Sequence, residues 1–151
     1  MGIYLALHVL SVVVWVGGMF FAWMVLRPVA TDQLEPPARL KLWRGVFGRF
    51  FPWVWTAILL IILSGTMMIV ILGGMGTVSL SVHIMLTLGT VMMLIFFHVF
   101  FAPYKRLRRC LDEGDMPGAG QQLATIRKLV GFNTLLGMIT LAVATAGKYY
   151  L

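Results

Sequence analysis

The chain has 151 residues, 60% of them hydrophobic and only 11% charged, against roughly 25% charged in an average soluble domain. That deficit excludes an ordinary soluble globule. The net charge of +7 would suggest a nucleic-acid partner in a soluble protein, but here the basic residues are gathered beside apolar segments, so no nucleic acid is expected.

Four stretches without a formal charge, residues 3–26, 51–72, 79–102 and 129–147, come close to the ~20 residues that carry a helix across hydrocarbon. They predict a single all-α domain over residues 1–151, an integral-membrane four-helix bundle of up-down topology. Arg27-Pro28 follows span one where a signal peptide would have small residues, so span one is expected to stay in the mature protein. Next comes Glu35-Pro36-Pro37, and then Leu40, Trp43, Phe47 and Phe50 recur at helical spacing among Lys41, Arg44 and Arg49. That pattern predicts a short amphipathic helix in the membrane interface before span two. Gly73-Gly74-Met75-Gly76 is an uncharged turn that makes spans two and three antiparallel neighbours. Asp115 before Met116-Pro117 reads as an N-cap, starting a helix that runs on through span four.

Arg27, Arg39, Lys41, Arg44 and Arg49 lie between spans one and two, and Lys105, Arg106, Arg108, Arg109, Arg127 and Lys128 between spans three and four. Of the basic residues only Lys148 lies on the other side. The positive-inside bias makes both loops cytoplasmic and both termini periplasmic, in a bacterial inner membrane. Cys110 is the only cysteine, so the chain forms no internal disulfide.

All three histidines, His8, His83 and His98, fall inside spans, where no Asp, Glu, Lys or Arg is found. An ionisable side chain at membrane depth is costly and points to function. Helical spacing groups His8, Ser11, Trp15 and Gly18 on span one, and His83, Thr87, Thr90, Leu94 and His98 on span three. Asn133, Gly137, Thr140, Ala144 and Gly147 share a face of span four, and Thr56, Leu60, Ser64 and Met67 a face of span two. These stripes are expected to face the bundle interior. His8 and His83 lie at similar depth near the outer surface, whereas His98 is about 22 Å deeper.

A level pair of imidazoles from two helices suits axial ligation of haem b. In that reading His8 and His83 hold the iron, with His98 a weaker candidate. Ser11, Trp15, Thr87 and Asn133 surround the cofactor, Gly17, Gly18 and Gly89 make room for it, and Lys148 meets a propionate. The function is then electron transfer with a small or lipid-soluble redox partner. The alternative is copper handling through His8, His83 and methionines such as Met67, Met68, Met75, Met85, Met92 and Met93, since thioether and imidazole both suit copper. A third class is a cofactor-free assembly subunit. The lipid-facing sides carry no sharp dimer motif and leave oligomerisation open.

The segment LALHVLSVVVWVGGMFFAWMVLRP, with His8, Trp15, Gly17, Gly18 and Phe20, resembles the first span of the copper-resistance D (CopD) family of membrane proteins. RFFPWVW, VHIMLTLG and IRKLVGFNTLLG resemble that family's later segments. This resemblance implies copper uptake or export across the inner membrane. Span one is also similar, more distantly, to the HemJ-type protoporphyrinogen oxidases, which are haem b membrane proteins. Their third span has a tryptophan–His–x–Lys feature, where this chain has Val82, His83, Ile84 and Met85.

Overall fold

Proline and glycine set the ends of the helices in a computed structural model that describes residues 1–150, apart from the side chain of Lys148. Helix α1 spans Gly2–Phe21 and passes through a π-turn at Ala22–Leu26 into α2, Arg27–Gln33. The widening belongs to Pro28, which has no N–H and whose ring crowds the carbonyl four residues back. The Arg27 N–H bonds to the Ala22 carbonyl, five residues back, instead of four. Helix α3 is Pro36–Ile71, α4 is Leu80–Phe101, α5 is Pro103–Asp112 and α6 is Met116–Tyr150. An Asp115 carboxylate oxygen accepts the Gly118 N–H at 3.0 Å, which is the expected cap of α6. Gly73 and Gly74 turn the chain between α3 and α4 with φ of 97° and 98°, which only glycine adopts readily.

Four helical segments, Gly2–Gln33, Pro36–Ile71, Leu80–Asp112 and Met116–Gly147, are long and apolar enough to cross a membrane. Their outer surfaces are apolar too, with Ile3, Leu10, Leu59, Val70 and Leu94 all exposed. Such a surface is stable in lipid and would aggregate in water.

The amphipathic stretch before span two forms a helix, but not a separate one lying in the interface. It is the first part of the 36-residue α3, which continues through Pro52. Leu40, Trp43 and Phe47 are buried in the protein core, so the apolar face is covered by other helices instead of by lipid.

Helix α1 packs on α3, and α4 on α6, while α6 also touches α1 and α3. Between these pairs the contacts are made by large rings. Phe96 on α4 meets Trp15, Phe51 and Trp55 with ring centroids 6.3, 5.4 and 5.3 Å away. Tyr104 on α5 closes the cluster against Phe47 and Phe51. The densest aromatic packing therefore sits in the half of the bundle nearest the charged loops. Because α3 and α4 meet through these rings instead of by close backbone approach, the half near the termini and the Gly73 turn depends chiefly on the α1–α3 and α4–α6 pairs.

Candidate functional site

His8 projects from α1 onto α3. Its Nδ1 lies 3.0 Å from the Ser64 Oγ, and its ring occupies the space that a side chain at Gly65 would need. Ser64 is buried, and its hydroxyl also donates to the Leu60 carbonyl one turn earlier in α3. A hydroxyl has one proton to give. With that proton on Leu60, Ser64 is an acceptor for the His8 ring, which also bonds to the Ile61 backbone, so α3 holds the imidazole from two positions one turn apart. Met68 lies four residues beyond Ser64, on the same face of α3 and half-buried.

His83 is held by a different route. Its Nδ1 lies 3.2 Å from the Ser79 carbonyl oxygen, which can only accept. Nδ1 is the protonated nitrogen and Nε2 the basic one. His83 is half-buried at the start of α4, so both rings belong to the end of the bundle that holds the termini and the glycine turn. They are oriented by different elements, His8 by α3 and His83 by its own helix.

The rest of the span-three stripe faces outward, contrary to expectation. Thr87, Thr90, Leu94 and His98 are exposed, Leu94 to 60%. The Thr87 and Thr90 hydroxyls donate to the carbonyls of His83 and Leu86, so they need no partner on another helix. Thr87 therefore touches the His83 backbone and not its ring. The buried face of α4 carries Ser81, Met92, Phe96 and Val99 instead. His98 sits on the exposed side in the last turn of α4, where a basic group suits the helix dipole.

Three of the remaining candidates are inside the bundle. Ser11 is buried and donates to the Leu7 carbonyl of its own helix. Trp15, 3% exposed, fills the core against Phe96. Asn133 lies deep between helices, donating from Nδ2 to the Met92 carbonyl at 3.3 Å, with the Met19 sulfur 3.8 Å away. Its Oδ1 is buried without a partner, beside a cavity of about 30 Å³ walled otherwise by apolar and aromatic side chains. The Lys148 side chain lies outside the described part of the structure.

These positions fit a bis-imidazole haem poorly. His8 is turned to α3 and not to α4, and the gap expected at Gly18 is filled by the Phe50 ring. Among the described residues, no group of three or more His, Cys, Asp or Glu side chains is placed to hold a metal ion. What the arrangement does offer is two imidazoles oriented through Nδ1, one by Ser64 and one by the Ser79 carbonyl. Sequence reasoning placed Ser64 on an inward stripe without seeing it as the partner of His8.

A family model described as copper resistance protein D matches residues 44–146, well over half of the chain. The match begins in α3, so it covers Ser64, His83 and Met68 but not His8. No curated protein and no solved structure matches.

Proposed function

The chain belongs to the copper resistance protein D family, and on that premise we propose that it handles copper as a transported or relayed ion in the bacterial inner membrane. His8 and His83 are its nitrogen donors near the periplasmic side, and the thioether of Met68, one turn along α3 from Ser64, is a candidate soft donor. The observation that supports this reading is that each ring has its Nδ1 within hydrogen-bond distance of a fixed oxygen, Ser64 Oγ for His8 and the Ser79 carbonyl for His83, an arrangement that would leave Nε2 as the metal-binding nitrogen. Fixing the far nitrogen of a ligating imidazole in this way sets its orientation and raises its basicity.

A few separated donors suit cargo better than a closed cage does. An ion that must leave again needs sites strong enough to admit it and weak enough to release it. Imidazole and thioether also favour copper over hard cations. The haem reading gains nothing from the family description and fits the orientation of His8 poorly.

Protein purified from cells supplied with both copper and haem decides between the two by metal analysis and an optical spectrum. Copper-handling predicts bound copper and no Soret band. A Soret band in copper-free protein would overturn it in favour of the haem reading.

A further inference from the structure

The charged end of the bundle contains a cavity of about 410 Å³ that the copper reading does not use. That volume falls within the roughly 300–1,000 Å³ of typical ligand sites. It opens between the π-turn and α2 on one side and the first turns of α3 and α6 on the other. Arg27, Arg39 and Arg127 line it, and no Asp or Glu does. Asp32 and Glu35 are near in sequence but are not among its walls. The one salt bridge among the described residues, Arg44–Asp112 at 2.7 Å, lies elsewhere.

The guanidiniums of Arg39 and Arg27 are held in place by neutral groups. An Arg39 Nη donates to the Thr31 and Leu34 carbonyls, while its Nε is buried with no partner. The Arg27 guanidinium lies 4.9 Å from the centre of the Trp23 ring, and the Trp23 indole N–H donates to the Arg127 carbonyl. Pro36 and Pro37, which begin α3, line the cavity and add the positive end of that helix, whereas the start of α6 at Met116 and Pro117 is offset by its Asp115 cap. Three arginines with no carboxylate among the walls, and the α3 N-terminus, leave this space positive. Its deeper wall, with Leu40, Trp43, Phe47 and Val130, is apolar and continues towards the membrane-spanning part of the bundle.

We propose that this cavity binds an anionic phospholipid, its phosphate held by Arg27, Arg39 and Arg127 and its acyl portion against the apolar wall. Guanidinium pairs bidentately with phosphate, and basic pockets between helices at the inner face are the usual seat of anionic headgroups. The inference is independent of copper. A free phosphate offers the same head chemistry but has no use for the apolar wall.

The test is a thermal-stability titration of the full chain in neutral detergent with dioctanoyl phosphatidylglycerol, the matching phosphatidylcholine, and inorganic phosphate. Phosphatidylglycerol is expected to raise Tm saturably, as a ligand of the folded state does, while the other two leave it unchanged. The double variant R27Q/R127Q should weaken the apparent affinity by about tenfold or more, whereas R106Q/R109Q, with the same loss of charge on the exposed face of α5, should stay within about threefold. Equal losses in both variants, or an equal response to phosphatidylcholine, would overturn the proposal by showing diffuse attraction or detergent exchange. Saturation by inorganic phosphate at the same concentration would overturn the lipid assignment. If R27Q/R127Q does not fold, native mass spectrometry of the wild-type chain serves instead: a phosphatidylglycerol adduct that survives delipidating washes is expected, and an adduct-free chain overturns the proposal.

Discussion

Replacing Ser64 by alanine separates a structural serine from one that sets the state of His8. The substitution removes the hydroxyl that lies 3.0 Å from the His8 Nδ1, from a buried position on α3, and leaves the Ile61 backbone as the ring's remaining partner there. The lost hydrogen bond is worth about 1 kcal/mol net, and alanine returns a few tenths through its better helix propensity. Stability should therefore fall by less than about 1 kcal/mol. Copper affinity should fall much further, by about 10–100-fold, because a freed imidazole rotates and exchanges tautomers. Two measurements distinguish these effects: Cu(I) affinity by competition with a chromophoric chelator, and ¹⁵N shifts of labelled histidine, which report which ring nitrogen is protonated. In a double-mutant cycle, Ser64→Ala should have no further effect once His8 is alanine. Wild-type affinity in Ser64→Ala together with lost affinity in His8→Ala would refute the orienting role.

The other predictions concern the remaining polar and small positions. His98→Ala should change both copper affinity and Tm little, within about 0.5 kcal/mol of stability, because the ring faces outward; a large loss of copper binding would contradict that placement. Asn133→Asp should destabilise the bundle by about 3 kcal/mol or more, since a carboxylate would be buried beside the Met92 carbonyl oxygen without a cation; denaturation in detergent checks this. Gly18→Ala should cost about 1–3 kcal/mol, read as a lower Tm, because the new methyl group collides with the Phe50 ring. A double-mutant cycle on Arg44 and Asp112 should give a coupling below about 1 kcal/mol that fades with salt, as expected for an exposed pair.

The spans, the Asp115 cap and the glycine turn were legible because they rest on local chemistry: hydrocarbon length, a carboxylate before a helix, and φ above zero at Gly73 and Gly74. The orientation of span three was not. Thr87 and Thr90 look like interior residues in the sequence, yet each satisfies its hydroxyl on its own helix and can face lipid. In a membrane the core is no more apolar than the solvent, so hydrophobicity does not mark the inner face, and here bulk did: Met92, Phe96 and Val99 point inward. The amphipathic stretch read as a separate helix before span two, but it is continuous with that span through Pro52, and Trp43 and Phe47 dock into the same core as Val54. The His8–Ser64 contact needed the register of α1 against α3, which depends on the conformation of the loop between them. The arginine cavity needed three segments distant in sequence to converge, and the positive-inside pattern alone accounted for its charges.

X-ray absorption spectroscopy of the copper-loaded chain tests the central claim most directly. Imidazole ligation produces outer-shell multiple-scattering features, and these should be present in the wild type, weakened in His8→Ala and in His83→Ala, and unchanged in His98→Ala. A copper spectrum without imidazole scattering, or one indifferent to both His8→Ala and His83→Ala, would contradict the account.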